Sequence, residues 1–389
     1  MTPPPVLRLV VPGSLGYSSG GTVYNAALLG ALQRIGAAAE EVAVPGAWPV
    51  GSDADRRRLA DALVPTAVAG EAAPAHAHER PDAISTAPRS MLIDGLAALG
   101  APGEVRAAAG ACTDAGTTLG ILVHMSLADA PGLSAAEAAR LAGLEREALA
   151  AAVVIVPSEF AARRLAERYG LHAHVARPGV VRAPEAPGSA AGGGPPHVLC
   201  LAALLPGKGQ LRLVQALGAL RDEQWTLTLA GHDAADPAYA RAVAAEAARL
   251  GIADRVQLPG ELRGPALEAE WARTDLTVLA SESETFGLSV AEALARGVPA
   301  IVGAGTGAAE ALALSLESGL GTAGSALGPA SEGTDPLTAE LARWLVDPGV
   351  RARWRAAARA ARPLLPGWEG TARAVVRAMS PTGLASAGS

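Results

Sequence analysis

The sequence predicts an α/β protein built from two domains, each with a parallel sheet covered by helices. Short apolar runs alternate with alanine-rich helical stretches along the 389 residues, and this alternation is typical of parallel sheets. A Gly- and Pro-rich segment at residues 183–196 divides the chain nearly in half. Each half begins with a strand followed by a glycine-containing loop. We therefore expect two Rossmann-like domains with parallel sheets that face a central ligand cleft, at the carboxyl ends of the strands.

Strand candidates occur throughout both halves, and most of them are short, apolar and followed by Gly, Pro or a helix. An Arg-rich helix is predicted at residues 53–63. The stretch that follows contains His76 and His78, and we interpret it as a surface loop because no further ligand lies at a metal-binding spacing. The predicted strands span residues 7–11, 91–94, 118–124, 153–157, 197–203, 225–230, 255–259, 276–280 and 299–302.

Composition narrows the classes of function and location. The net charge is −6 and no basic tract is present, which argues against nucleic acid as a partner. Cys112 and Cys200 do not form a metal-ligand pattern and are predicted to be small core residues, as in a reducing cytoplasm. The start of the chain lacks the features of a signal peptide, and no apolar run reaches the ~20 residues of a membrane span. We expect a cytoplasmic bacterial protein, with peripheral contact at the inner membrane face left open.

The most informative segment contains two carboxylates eight positions apart, Glu284 and Glu292, with Phe286 and Gly287 between them. An apolar run precedes the segment and a stretch of helix formers at 288–295 follows, so a strand, a turn and a helix are expected in that order. Such a turn leaves backbone N–H groups unpaired at the positive end of a helix, which suits a phosphate. Glu284 is placed in the turn and Glu292 about one turn into the helix, so one can face a sugar and the other a ribose.

This segment resembles the nucleotide-sugar site of glycosyltransferase family 4, the retaining enzymes of the GT-B fold. The resemblance implies that Glu284 contacts the donor sugar and that Glu292 binds the ribose hydroxyls. It also implies that the backbone after Phe286, at Gly287 and Leu288, cradles the diphosphate. Residue types, spacing and the strand–turn–helix order all agree with the pattern.

A second stretch, at residues 199–209, is predicted to be a strand and a loop that end in a Lys-Gly pair at the start of a helix. A lysine at that place can bring a point charge to a phosphate. The stretch resembles the donor motif Gly-Arg-x-x-x-x-Lys-Gly of the same family, with Lys208 matching the lysine. The arginine of the motif falls at Ala203. Loss of that cation implies a weakened diphosphate clamp.

The first half contributes a Gly-rich loop and a histidine. Gly20 and Gly21 resemble the Gly-Gly turn that opens family-4 enzymes and borders the phosphates. A dinucleotide fingerprint remains a weaker alternative, because the glycine spacing differs from Gly-x-Gly-x-x-Gly although Glu40 and Glu41 follow about 20 residues later. His124 ends a predicted strand, and related transferases carry a histidine there that contacts the donor sugar.

The resemblance assigns the segments of the chain to roles. Residues 1–183 form an N-terminal Rossmann-like domain on the acceptor side, and 184–196 form the Gly/Pro-rich linker. Residues 197–365 form a C-terminal Rossmann-like domain on the donor side. A helix at 366–380, which starts near Trp368, crosses back to the first domain.

The implied function is retaining, metal-independent transfer of a sugar from a nucleoside-diphosphate sugar, with a UDP- or GDP-sugar favoured, to a glycan, glycolipid or small-molecule acceptor. No cofactor is implied, and no Asp-x-Asp metal motif stands at a strand end. Alternatives of the same fold are a phosphorylase or a nucleotide-sugar epimerase. A non-catalytic or weakly active nucleotide-sugar-binding homologue is supported by Ala203. An NAD-dependent oxidoreductase is disfavoured by the glycine spacing.

Overall fold

The computed structural model describes residues 7–13, 19–64, 90–130, 132–328 and 335–380. The predicted loop with His76 and His78 lies outside these residues. Within them, the chain forms two parallel sheets of six strands each, with strand orders β2-β1-β3-β4-β5-β6 and β12-β11-β10-β7-β8-β9. The α/β class with two parallel sheets is therefore confirmed. The strands are β1 (Leu7–Pro12), β2 (Ala39–Val44), β3 (Ser90–Asp94), β4 (Leu119–Leu122), β5 (Val153–Val156), β6 (His174–Val175), β7 (His197–Leu201), β8 (Thr226–Ala230), β9 (Val256–Gly260), β10 (Leu276–Leu279), β11 (Ala300–Gly303) and β12 (Gly324–Leu327).

Helices cover both faces of the two sheets, as the near-continuous apolar strands require. The central strands β3, β4 and β10 are buried along their whole length. The helices are α1 (Gly20–Arg34), α2 (Asp53–Ala62), α3 (Gly95–Ala98), α4 (Pro102–Asp114), α5 (Ala135–Leu149), α6 (Glu159–Tyr169), α7 (Gln210–Ala219), α8 (Pro237–Arg249), α9 (Gly264–Arg273), α10 (Leu288–Ala295), α11 (Gly307–Ala313), α12 (Pro336–Val346), α13 (Pro348–Ala361) and α14 (Trp368–Ala378).

Three strands that the sequence did not predict, β2, β6 and β12, lie at sheet edges. β2 carries Glu40 and Glu41, and the Glu40 carboxylate accepts a hydrogen bond of 2.7 Å from the buried Arg8 guanidinium of β1. An edge strand is covered less completely than a central one, so its sequence lacks a continuous apolar run. The two glutamates therefore lie within β2, at its second and third positions.

The Gly/Pro-rich segment is bonded to the C-terminal half of the molecule. Ala186 N donates to the Arg296 carbonyl and Gly188 N to the Ala272 carbonyl, both at 2.9 Å. The Asp275 carboxylate accepts from the backbone N–H groups of Ser189 and His197. These contacts hold the first half of the segment against α9 and the C-terminal end of α10.

The last helix, α14, packs against α1, which covers the first sheet. Its buried side chains recur at helical spacing and include Trp368, Ala372 and Val375. The Trp368 ring meets the Tyr24 ring edge-on, with centroids 5.2 Å apart. The chain thus crosses between the halves twice, and the Val180 N–H donates to the Pro366 carbonyl at 2.8 Å where the crossings run side by side.

Candidate functional site

The turn that carries Glu284 connects β10 to α10, the helix that the sequence predicted at residues 288–295. Gly287 forms the N-cap with φ of +82°, a left-handed conformation that favours glycine. No side chain caps this helix end. The first backbone N–H groups of α10, beginning at Leu288, are therefore open toward the cleft edge and available to an anion.

Close packing fixes the shape of this turn. The Gly307 N–H at the start of α11 donates to the Glu284 carbonyl at 2.6 Å. A Cβ atom on Gly307 would lie 2.0 Å from the Thr285 carbonyl oxygen, so only glycine permits this approach. The Phe286 ring is 2% exposed and packs with Leu279. Phe286 therefore anchors the turn in the core, and only its backbone can face a ligand.

Lys208 reaches this turn from the loop between β7 and α7. Its Nζ donates to Glu284 Oε2 at 2.8 Å, and both side chains are partly buried. Lys208 is the only lysine in the chain. The loop is braced by the buried Gln210, whose Nε2 donates to the Ala203 carbonyl at 2.8 Å. The predicted phosphate cation and the predicted sugar carboxylate are thus neighbours that neutralise one another.

Glu292 lies one turn into α10 and differs from Glu284 in its surroundings. Within the described ranges its half-buried carboxylate makes no hydrogen bond. Burial raises the pKa of Glu292, and the nearby Arg296 guanidinium opposes that rise. Arg296 itself stacks over Trp271 at 5.1 Å and donates to Glu268 at 2.6 Å. The Glu292 carboxylate can therefore still accept hydrogen bonds, although it is partly desolvated. Such a group lowers the stability of the folded protein unless a ligand donates hydrogen bonds to it.

His124 approaches from the N-terminal half, directly after β4. Its Nε2 lies 2.9 Å from Asn25 Oδ1, and the Asn25 Nδ2 donates to the buried Asp94 carboxylate at 2.5 Å. Burial lowers the pKa of His124, and the charge of Asp94 opposes that shift. Gly21 lies beneath the imidazole, because a Cβ there would come within 2.9 Å of its Cδ2 atom. His124 is thus a packed group at the cleft edge, where burial favours its neutral form.

The N-terminus of α1 contrasts with that of α10. Ser19 caps it, with the Thr22 N–H donating to Ser19 Oγ at 3.2 Å and the Ser19 N–H donating to the Thr22 hydroxyl at 2.8 Å. Gly20 nevertheless lies across from the donor turn, since a Cβ on it would be 3.7 Å from Leu288 Cδ1. The phosphate role of Gly20 and Gly21 stays a prediction, at a helix end where one amide is already bonded.

Hydrogen bonds across the cleft connect the two sets of residues. The Thr285 hydroxyl donates to the His124 carbonyl at 2.7 Å, and the Ser158 hydroxyl donates to the Thr285 carbonyl at 2.5 Å. The Glu310 carboxylate of α11 accepts from the backbone N–H groups of Glu159 and Phe160 at the start of α6. These contacts place the donor turn directly against the strand end that carries His124.

Three of these residues, Asn25, Asp94 and Thr285, were not predicted from the sequence as site residues. A signal existed for Asp94, which ends a predicted strand as His124 does, and the carboxyl ends of parallel strands share one edge. Asn25 lies in an ordinary apolar helix and offers no such signal. Thr285 stands inside the recognised motif, but its partner is 161 residues away.

The part of the chain that the structure describes holds neither a cluster of metal ligands nor a helix that could span a membrane. No group of three or more His, Cys, Asp or Glu side chains is arranged to hold a metal ion in this part of the chain. None of the helices found there has both the length and the apolar character needed to cross a membrane.

Comparisons with known proteins agree with this architecture. Residues 182–361 match the family model described as glycosyl transferases group 1. A D-inositol 3-phosphate glycosyltransferase of Xylanimonas cellulosilytica is 35% identical over 172 residues, which are 43% of this chain and 38% of that protein. The chain therefore spans less than two fifths of the length of this curated relative.

Solved structures match over nearly the whole chain. Sucrose-phosphate synthase from Thermosynechococcus elongatus has a TM-score of 0.70 at 17% identity and covers 95% of this chain and 97% of its own. Anabaena Alr3699/HepE in complex with UDP-glucose has a TM-score of 0.67 at 16% identity, with coverages of 95% and 98%. At such identities the likeness shows the fold alone. The predicted GT-B fold is confirmed.

Proposed function

We propose that this protein is a retaining glycosyltransferase of family-4 type, which moves a sugar from a nucleoside-diphosphate sugar to a hydroxyl of a glycan, glycolipid or small-molecule acceptor. The observation that carries the proposal is the convergence of Lys208, Glu284 and the uncapped start of α10 at one cleft edge. A cation, a carboxylate and open helix amides are the groups that a diphosphate and a sugar require. UDP is the favoured nucleotide, since HepE has the same fold and binds UDP-glucose.

The role of each group follows from the charge that develops during transfer. Departure of the nucleoside diphosphate places negative charge on its oxygens and positive character on the sugar ring. Lys208 and the amides at Gly287 and Leu288 would stabilise the leaving group, because fixed donors in a partly dry site act strongly on developing charge. Glu284 would exchange its contact with Lys208 for the donor sugar, and Glu292 would accept hydrogen bonds from the ribose hydroxyls.

Retention of configuration and independence from metal are parts of the proposal with their own tests. The acceptor would attack from the face that the diphosphate leaves, with a departing phosphate oxygen taking the acceptor proton. Proton NMR of the first-formed product would show the anomeric configuration of the donor, and a product of inverted configuration would overturn this step. Transfer rates that persist in EDTA would support metal independence, and loss of activity restored by Mg²⁺ or Mn²⁺ would contradict it.

Nucleotide binding is the first experiment. Thermal unfolding would be followed with UDP, GDP, ADP, TDP and NAD, and stabilisation by one nucleoside diphosphate is expected. Stabilisation by NAD alone would favour an oxidoreductase and sink the proposal.

The single lysine permits a direct test of where the nucleotide binds. An amine-reactive reagent can modify only Lys208 and the N-terminal amine of the chain. Peptide mass spectrometry should show that the stabilising nucleotide protects Lys208 and leaves modification of the N-terminal amine unchanged. The Lys208→Arg variant serves as control, since it should keep only the terminal reaction. Equal modification of Lys208 with and without bound nucleotide would place the nucleotide elsewhere.

A nucleotide-sugar-binding homologue without transfer activity is the second candidate, and Ala203 at the usual arginine position favours it. The two candidates differ in turnover. Nucleotide binding and Lys208 protection without hydrolysis or transfer of any UDP- or GDP-sugar, over a panel of glycan, glycolipid and polyol acceptors, would favour the binding protein.

A further inference from the structure

His124, Asn25 and Asp94 form a chain of hydrogen bonds whose direction is fixed by one member. Asp94 is 4% exposed, and its carboxylate can only accept hydrogen bonds when ionised. The Leu96 N–H donates to Asp94 Oδ1 at 2.8 Å, and the Asn25 amide lies 2.5 Å from Asp94 Oδ2. Asn25 must therefore present its NH₂ group to Asp94.

This orientation decides which nitrogen of His124 carries the proton. With its NH₂ group committed to Asp94, Asn25 presents its carbonyl oxygen to His124 Nε2, at 2.9 Å. Two acceptors can share a hydrogen bond only if one carries a proton, so Nε2 must be the protonated nitrogen. Asp94 Oδ2 lies 3.5 Å from the same Nε2 and demands the same tautomer. Nε2 therefore carries the proton whether its N–H group points to Asn25 or to Asp94.

In the neutral imidazole, which burial favours by lowering the pKa of His124, the other ring nitrogen is left as an acceptor. Within the residues that the structure describes, His124 Nδ1 makes no hydrogen bond, although the side chain is 17% exposed at the cleft edge. The ring itself is held by the edge-on Tyr24 ring, with centroids 5.0 Å apart. Tyr24 is in turn fixed by its hydroxyl, which donates to the Ala176 carbonyl at 2.7 Å. The imidazole is therefore held in both its position and its protonation.

We propose that Asn25 and Asp94 are positioning residues that fix His124 as the neutral Nε2–H tautomer, so that His124 meets its ligand through Nδ1 as a hydrogen-bond acceptor. The ligand group must then be a hydrogen-bond donor, and under the proposed function, on which this role rests, a hydroxyl of the donor sugar supplies it. A sugar hydroxyl suits this place because it can turn its proton toward Nδ1.

The tautomer can be measured without any assumption about activity. In protein labelled with ¹⁵N-histidine, long-range proton–nitrogen correlation spectra distinguish a protonated ring nitrogen from an unprotonated one. The His124 signals are assigned by their loss in His124→Gln. We expect a protonated Nε2 and an unprotonated Nδ1 in the ligand-free protein at neutral pH. A protonated Nδ1, with or without a proton on Nε2, would overturn the inference.

Asp94→Asn tests the source of the tautomer. The new side chain has almost the same shape and keeps an oxygen for the Leu96 N–H, but its NH₂ group can donate to Asn25 and release the Asn25 amide to turn over. We expect His124 to populate the Nδ1–H tautomer. An unchanged tautomer in both Asp94→Asn and Asn25→Ala would show that neither residue sets it.

In the Asp94→Asn variant, turnover should fall while nucleotide affinity stays unchanged. We expect sugar transfer to fall by at least about tenfold, since the wrong tautomer of an oriented histidine can lower a rate by up to about 10⁴-fold. Nucleotide affinity should stay unchanged because the donor turn is untouched. Unchanged turnover in a variant with an altered tautomer would overturn the positioning role.

Glu270→Gln is the matched control. It also replaces a buried carboxylate that contacts a buried histidine, His197, at 2.7 Å, but at the sheet edge opposite the cleft. It should lower stability and leave transfer unchanged.

If the wild-type protein shows the expected tautomer yet binds no nucleotide, the tautomer assignment stands and the proposed function fails. In protein that does bind UDP, UDP-glucose but not UDP should shift the Nδ1 signal, and equal signals with both would show that no donor-sugar hydroxyl reaches it.

Discussion

The two edges of the cleft are built in different ways. On the C-terminal side, Glu284, Gly287 and Glu292 come from one strand–turn–helix segment, and the uncapped start of α10 lies inside it. On the N-terminal side, Asn25, Asp94 and His124 come from three elements, and up to 99 residues separate their partners. A local motif can be recognised from its spacing, whereas an assembled group becomes visible only when the strands are placed beside one another.

Glu284→Ala should show the largest effect on the donor side of this comparison. It removes the carboxylate that contacts Lys208, and we expect a loss of turnover of about 10²–10³-fold, the size seen when one stabilising group is removed from an active site. The fold should persist, since the side chain is partly exposed and Gly307 binds only the Glu284 backbone. The measurement is kcat of transfer together with thermal unfolding.

Glu282→Ala is the control for that experiment, because it removes an exposed carboxylate two residues earlier in the same connection. It should retain the wild-type rate. Wild-type turnover in Glu284→Ala itself would remove Glu284 from the reaction.

Glu292→Gln should have the next largest effect and should change binding and stability in opposite directions. Loss of charge-assisted hydrogen bonds to the ribose should weaken UDP binding by about tenfold or more, since such bonds contribute about 1.5–3 kcal/mol. The ligand-free variant should unfold at a higher temperature, because a half-buried charge without a hydrogen bond has been removed. Calorimetry of binding and of unfolding would measure the two effects.

The pH dependence sharpens the same prediction. Burial raises the pKa of Glu292 in the folded protein, so protonation favours the folded state and the stability gain of Glu292→Gln should fade as pH falls through that raised pKa. UDP affinity of the wild type should fall over the same range, while the affinity of the variant should lack this step. Equal pH profiles for the two proteins would contradict the ribose role.

Much of the fold was predictable because it rests on local patterns. The helix at 288–295 was predicted with the bounds it has, since good helix formers follow a glycine that can adopt positive φ. The edge strand β2 was missed because Glu40 and Glu41 interrupt its apolar pattern. In the candidate site, His124 was predicted, whereas the place of Asp94 beside it depends on β3 and β4 being neighbours in the sheet. Asn25 lies on the helix α1 and left no signal in the sequence.

Thr285 tests how far the two edges depend on one another. Thr285→Val keeps the shape of the side chain and removes the hydroxyl that donates to the His124 carbonyl across the cleft. We expect kcat/KM to fall about five- to tenfold, near the 1–1.4 kcal/mol of one hydrogen bond, with UDP affinity unchanged. Thr274→Val, which removes a buried hydroxyl that donates to the Glu270 carbonyl, should leave kcat/KM unchanged. Equal kinetics in both variants would show that the edges act independently.

Ala203→Arg should have the smallest effect and would make the donor edge stronger. Position 203 follows β7 in the loop that ends at Lys208, and its carbonyl is already held by Gln210, so the backbone need not move to accept a longer side chain. A second cation beside Lys208 should tighten UDP binding about three- to tenfold, since exposed ion pairs contribute at most about 1 kcal/mol and charge-assisted phosphate contacts somewhat more.

Uridine, which lacks the phosphates, is the matched ligand control and should bind equally to both proteins. A gain for uridine as large as that for UDP would point to the nucleoside, and unchanged UDP affinity would mean that position 203 does not face the diphosphate. The expected result would show that the site retains the geometry for a two-cation clamp.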